Sequence, residues 1–509
     1  MKNLKITFVF IAFIVMASCS DDFVDVKSNN ENSEDYFNSE EDYQQALIAA
    51  YDLLQSTYLN VMMGEIASDN TLAGGGDAND VAGIQQVDDM IHTQINEQLR
   101  NIWQWMYAGV NRANYILEFQ DKTDFEGKEK ILAQAKFLRA YYYFELVKWF
   151  GDVPFAVDTR IQFGDQFSIE KTPKEEVYAQ MEEDLIYASD NLTYIPEQVG
   201  RITKGSAQAL LGKIYLYQDK FDLAGAVLEN LIDNGPHDLV VDYSTIFEND
   251  NENNIESVFE VQYTDQEGAS FDCLQCSEGN IAVGFNGIRN YDGPLFESGF
   301  SFNVPTQEVV DEFEEGDNRF ETAILDINAW AAETGATFGT GHEHTGYYNR
   351  KYISRQGDAN TGDANLTNPN NYRAIRFADV LLMAAEALNR GGISDDRAQM
   401  YLNRVRERAF GDSDHNVLAS GTALTNAIYH ERRVELVGEG HRFFDLVRTG
   451  RAKTEIENNN GIDVIRNAEG DIISVHDDRI FQEGKNEVFP IPLIEIQLAG
   501  NQWEQNPEY

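Results

Sequence analysis

Residues 203–236 read TKGSAQALLGKIYLYQDKFDLAGAVLENLIDNGP, and the fold turns on this stretch. Leu211, Gly212 and Tyr215, followed by Ala224, Leu228 and Pro236, have the spacing of a tetratricopeptide repeat. Gly212 and Ala224 are small enough for two antiparallel helices to approach closely, and Leu211, Tyr215 and Leu228 fill the seam. The pattern extends outward in both directions. Residues 41–58 place Tyr43, Ala46, Leu47, Ala50, Tyr51 and Leu54 on one face, and residues 101–119 and 130–150 repeat that period. Gly151 and Pro154 stop the last of these, while Thr172 and Pro173 read as the N-cap and first position of another helix. Residues 378–390 and 395–410 form a further pair. These spacings predict a mainly α protein in which helix hairpins stack into a scaffold.

The helical period is lost between residues 249 and 371. Residues 257–263 (SVFEVQY) alternate like a strand, and Gly, Asn, Asp and aromatic residues follow without a period. Residues 69–80, DNTLAGGGDAND, make a second irregular segment. Long irregular segments on a regular scaffold are where function concentrates.

At the N-terminus Lys2 and Lys5 precede an apolar stretch, residues 6–16, that ends in Ala17, Ser18 and Cys19. Eleven apolar residues are too few to span a bilayer, which takes roughly 20. The order of charge, apolar run and small residues is that of a secretory signal. The end, VMASC, resembles a bacterial lipobox, making Cys19 the expected lipidated first residue of the mature chain. The net charge of −47 excludes nucleic acid as a general partner and tilts the ligand toward a neutral molecule. Beyond Cys19 only Cys273 and Cys276 occur; a local disulfide, two free thiols and a metal site all remain open for them.

Six segments carry a resemblance. Trp103, Tyr107, Val110, Ala113 and Asn114 come first, then AKFLRAYYYFELVKWFGDVP (135–154) and RITKGSAQALLGKIYLY (201–217). YRAIRFADVLLMAAEAL (372–388), ERRVELVGEGHRFFDLVR (431–448) and the terminal FPIP and NPEY complete the series. In this order and behind a lipobox, the chain resembles the SusD/RagB family of nutrient-binding outer-membrane lipoproteins over essentially its full length. The resemblance implies a mainly α, SusD-like fold with tetratricopeptide-like helix pairs, long irregular loops and a few short strands. It divides the chain into a signal peptide (1–18), a lipid-anchored tether (19–35) and one domain (36–509). Within that domain a helical scaffold (36–248 and 371–450) carries a loop-rich ligand-binding insertion (249–370), and residues 451–509 close the chain. It further implies a SusC-like, TonB-dependent transporter as partner, and the outer membrane as location, facing the cell exterior. Ser20, Asp21 and Asp22 resemble the acidic signal that sends such lipoproteins to the surface.

Sugar binding from water needs flat apolar faces against pyranose C–H groups and polar groups for the rim hydroxyls. Asp69, Asn70, Asp77, Asn79 and Asp80 are the polar candidates, with Gly74, Gly75 and Gly76 allowing close backbone approach. Tyr291, Phe296, Trp330 and Tyr347 are the candidate platforms. Trp103, Trp105 and Trp149 lie in helical patterns and belong to the core. Glu431, Arg432, Arg433, Arg442, Asp445 and Arg448 read as an ionic network fixing helix ends rather than an active site. His342-Glu343-His344 lacks the spacing of a helical zinc motif, and a calcium ion on the Asp/Asn-rich loops is the one cofactor their chemistry suggests. The chain has no nucleophile elbow, phosphate loop or dinucleotide fingerprint, and the resemblance, with the net charge, implies a non-catalytic binder of a neutral glucan or similar oligosaccharide. A surface glycoside hydrolase, a protein-binding repeat scaffold and a peptide-capturing relative are the alternatives.

Overall fold

The computed structural model describes residues 36–509 except 158, 267, 268, 272, 360, 459 and 478. The expected signal peptide (1–18), tether (19–35) and lipidation site Cys19 lie outside the described residues. Six long helices precede the irregular region: α1 (Glu40–Asp52), α2 (Glu97–Glu118), α3 (Lys128–Phe150), α4 (Lys174–Asn191), α5 (Lys204–Tyr217) and α6 (Phe221–Asn234). Three follow it: α7 (Phe377–Arg390), α8 (Asp395–Phe410) and α9 (Gly421–Leu436). Each of α2 to α6 packs on the helix before it, and α7 packs on α6 as well as on α8 and α9. The stack is therefore continuous in space although 142 residues separate α6 from α7 in sequence. The strand Ser257–Val261 makes this return, pairing antiparallel with Tyr372–Arg376 so that Tyr372 faces Val261. The insertion leaves and re-enters the scaffold at one place.

The α5–α6 hairpin forms as its spacing predicts. Leu211, Tyr215, Ala224 and Leu228 are all buried, and a Cβ on Gly212 would lie 2.5 Å from Leu228 Cγ. Replacing Gly212 by alanine is expected to cost about 1–3 kcal/mol by overpacking this seam, read as a lower midpoint of urea unfolding with an unchanged slope. Thr203 caps α5 through its hydroxyl, which accepts from Ser206 N at 3.1 Å.

Two local expectations are corrected. Residues 41–58 are not one helix: α1 ends at Asp52 and a 3₁₀ turn, Leu53–Thr57, redirects the chain into Tyr58–Ile66. Thr172 is not an N-cap, because it pairs in a short strand with Val153. Helix α4 starts one residue later than expected, and Asp152 Oδ1 accepts from Lys174 N at 2.9 Å, so the cap comes from across the turn. Of the readings open for Cys273 and Cys276, the structure has the disulfide. No described helix is long and apolar enough to cross a membrane.

A buried ionic network ties the insertion to the scaffold. Arg376, at the end of the returning strand, bonds Glu256 at 2.6 Å, Glu435 at 2.7 Å and Glu439 at 2.7 Å. Arg408 bonds Glu256 and Glu435, and Arg319 bonds Asp317, Glu431 and Glu435. Burial alone would raise the Glu435 carboxyl, but Arg408, Arg376 and Arg319 hold it well below the usual range. Asp445 is held low in the same way, against burial, by Arg432 and Arg448. Burial pushes Glu252 and Asp463 the other way, to about 7. A depressed carboxylate contributes stability above its unfolded pKa, about 4, and loses it as pH falls toward the folded value; a raised one gains stability as pH falls. Thermal stability is therefore expected to fall steeply below about pH 4, as the carboxylates held low by arginines are protonated, and scanning calorimetry from about pH 7 to pH 2 will show it.

Candidate functional site

The sequence candidates separate into a buried set and an exposed set. Asp69 is fully buried, with Oδ1 accepting from Arg442 Nε at 2.7 Å and Oδ2 from Arg442 Nη2 at 2.6 Å. Arg433 Nη2 lies 3.1 Å from the same carboxylate. Burial would raise this group, yet Arg433 and Arg442 pull it below the usual carboxylate range. Asn70 is buried beside it, accepting from Arg433 Nε at 2.9 Å and donating to Glu65 Oε1 at 2.9 Å. Both residues are thus structural rather than glycan-facing: they precede the buried strand Thr71–Gly74 and sit over the paired arginines. The cavity at that cluster, lined by Asn70, Arg432, Arg433, Arg442 and Asp445, offers about 10 Å³. That is room for one water and none for a sugar.

From Gly74 onward the chain turns outward. The strand Thr71–Gly74 pairs with Phe302–Pro305, and Gly75 N donates to Ser301 O at 2.8 Å. Gly74 and Gly75 have φ of 65° and 94°, and a Cβ on Gly74 would collide with Ser301 O, so glycine is required there. Asp77 and Asn79 are exposed, with Asn79 N donating to Asp77 Oδ1 at 2.8 Å. Asp80 Oδ2 accepts from Gly76 N at 2.7 Å and from Arg289 Nη2 at 3.2 Å. Arg289 also donates from Nε to Ser301 Oγ at 3.0 Å and from Nη2 to Phe300 O at 2.6 Å. The residue pair Asp80–Arg289 is partly exposed, at 35% and 25% of side-chain area. It offers both donors and acceptors to a ligand at the surface.

The aromatic candidates behave differently from one another. Trp330 stands on a short helix, Ile327–Thr334, not on a loop. Its Nε1 donates to Tyr291 Oη at 2.8 Å, and its ring centroid lies 5.4 Å from that of Phe296. Arg350 approaches the Trp330 and Phe296 rings at 5.8 Å each. Three candidates are thereby brought together, but Phe296 is 0% and Tyr291 8% exposed. They back the cluster, and half-buried Trp330 alone has ring area to present. Tyr347 lies apart: it packs against the Val309–Ile324 cluster, and its hydroxyl donates to Gln307 Oε1 at 3.1 Å. Phe296 and Tyr291 are corrected from platforms to packing, because their faces are covered by each other and by Trp330.

The segments that carry the Asp80–Arg289 group and the Trp330 group are joined through their backbones. Gly339 N donates to Arg289 O at 2.7 Å, Asp292 and Thr337 form an antiparallel bridge, and His342 N donates to Gly75 O at 2.8 Å. Arg289 was not selected by the sequence reading, nor was Phe271, whose ring is 60% exposed and 5.7 Å from that of Phe300. A lone arginine in an aperiodic segment and an aromatic beside two cysteines carry little signal. His344 is buried against Phe338, and burial, with Arg466 nearby, lowers its pKa to about 4. The donor atoms of Asp88, Asp89, Glu343 and His476 lie within 4.8 Å of one another. Both Asp88 oxygens are already engaged, by Ala73 N at 2.6 Å and by Arg479. This set lies outside the Asp/Asn-rich stretch 69–80.

The family profile described as "Starch-binding associating with outer membrane" matches residues 22–216, and the profile of the SusD family matches residues 248–509. "SusD-like protein P2" of Formosa agariphila is 26% identical over 544 residues, covering 100% of both chains. Among solved structures, a "Laminarin binding SusD-like protein" is 35% identical with a TM-score of 0.82, covering 93% of this chain and 100% of that one. "Surface glycan-binding protein A from Bacteroides thetaiotaomicron in complex with laminarihexaose" is 26% identical with a TM-score of 0.77, covering 92% and 99%. With its continuous helical stack, its paired-strand root and the two profiles together spanning most of its length, this chain belongs to the SusD family.

Proposed function

We propose that this protein is a non-catalytic glycan-binding lipoprotein of the outer-membrane surface, anchored through Cys19. It captures a neutral glucan of the laminarin type and delivers it to a SusC-like, TonB-dependent transporter. The observation that carries this reading is the irregular insertion, where a half-buried tryptophan stands on a segment hydrogen-bonded to those that carry Arg289 and the Asp77–Asp80 turn. Aromatic area for C–H faces and bidirectional polar groups for rim hydroxyls are what a sugar in water requires. The net charge of −47 supports a neutral ligand over an anionic one. The relative at 35% identity is named for laminarin binding, which supports the ligand class.

Incubating the protein with laminarin, a β-1,4-glucan, starch and a sulfated polysaccharide tests the reading. Retention on laminarin without new reducing ends is the expected result; release of reducing ends would make the chain a hydrolase, and retention on the sulfated polymer alone would refute the ligand class. Trp330→Ala is expected to weaken laminarihexaose binding on the order of tenfold, measured by titration calorimetry, while Trp330→Phe keeps most of the affinity. Co-purification of the transporter with the full-length chain from membranes tests delivery; its absence from a stable complex counts against that part.

A further inference from the structure

We infer that Phe271 is a stacking platform of its own, a second subsite for one pyranose ring of a neutral oligosaccharide, held out two residues before the turn that the Cys273–Cys276 disulfide closes. This rests on the glycan-binding reading above and extends it to residues outside the Trp330 cluster. Among the described aromatic side chains only Phe163, Phe167 and Phe271 are exposed, and of these only Phe271 lies in the insertion. An exposed large apolar ring in such a segment is informative because water contact is unfavourable for it.

The ring is supported from behind. Phe271 leans on Phe300 at an interplanar angle of 59°, Phe300 meets Phe285 at 5.8 Å, and Phe285 meets Phe302 at 5.5 Å. The aromatic row leads from the surface into the core, so one side of Phe271 is fixed and the other meets solvent. The loop under it is pinned at several points. Thr264 N donates to Glu278 O at 2.9 Å, Cys276 N to Cys273 O at 3.2 Å, and Ser277 Oγ to Leu366 O at 2.7 Å. The disulfide lies between these anchors and limits the conformations the loop can adopt without ligand. A preorganised ring loses less freedom on binding, which raises affinity without new contacts.

The residue that supports Phe271 also contacts a polar pair. Phe300 O, on the residue that supports Phe271, accepts from Arg289 Nη2. Arg289 Nη1 has no hydrogen-bond acceptor among the described residues, and Asp80 offsets the guanidinium charge. Phe271 therefore supplies an aromatic face, and the Arg289–Asp80 pair that shares Phe300 with it demands no net charge of the ligand.

Titration calorimetry with laminarihexaose on the wild type, Phe271→Ala, Phe271→Trp and the Cys273→Ser/Cys276→Ser double variant tests the inference. Phe271→Ala is expected to bind on the order of tenfold more weakly, about 1.4 kcal/mol, and Phe271→Trp to bind like the wild type. The double serine variant is expected to bind about threefold more weakly, with an unchanged thermal midpoint. Wild-type affinity in Phe271→Ala, beside a weakened Trp330→Ala, would overturn the subsite and leave the glycan reading standing. No heat from the wild type with laminarihexaose, cellohexaose or maltohexaose would overturn the glycan reading and the subsite together.

Discussion

Replacing Arg376 by methionine is expected to destabilise the protein by about 3–5 kcal/mol. The side chain is fully buried, and its guanidinium satisfies Glu256, Glu435 and Glu439 together while its Nη2 also donates to Glu435 O at 3.0 Å. Methionine matches the length of the stem but leaves those carboxylates short of positive charge, with only Arg319, Arg408 and Lys351 to share. An uncompensated buried charge costs several kcal/mol, far more than the net value of an intact buried pair. Because Arg376 ends the strand that returns the insertion to the scaffold, the loss should also loosen the root of the loop face. Urea unfolding measures the effect. A change under about 1 kcal/mol would mean that the network is not what joins the two parts.

Asp69→Ala is the second large effect, and it separates two roles that the sequence leaves together. Removing this carboxylate strands Arg442 and Arg433, both buried, so a loss of about 3–5 kcal/mol is expected. Arg433 keeps Glu308 and Glu312, which places the effect toward the lower end. Asp77→Ala, eight positions on in the exposed turn, should leave the unfolding midpoint within about 0.5 kcal/mol and act on glycan affinity alone. Equal stability of the two variants would put Asp69 back among the surface candidates.

The difference between Asp69 and Asp77 also shows what the sequence carried. Helix periods and the Leu211–Gly212–Tyr215 spacing are local, and α5 and α6 were legible to within a few residues. The Asp/Asn-rich run was legible as an irregular segment, but nothing local says that its first two residues lie beneath arginines more than 360 positions away. Likewise Tyr291, Phe296, Trp330 and Tyr347 all stand in one aperiodic stretch, where the sequence favours Trp330 as its only tryptophan but does not say which rings are covered. Only the packing makes Phe296 a support, sends Tyr347 to another cluster and leaves Trp330 half open. Phe271 carries little signal because the two cysteines dominate the reading of FDCLQC, and Arg289 because its partners, Asp80 and the adjacent Phe300 and Ser301, lie in other segments.

Hydrogen exchange on the protein with and without saturating laminarihexaose most directly tests where the ligand goes. The account predicts slowed exchange confined to residues 74–80, 269–300 and 330–342, with residues 431–448 unchanged. Protection concentrated in 431–448, around Arg432, Arg442 and Asp445, would contradict it, because ligand would then occupy the charged cluster that the structure fills with its own side chains.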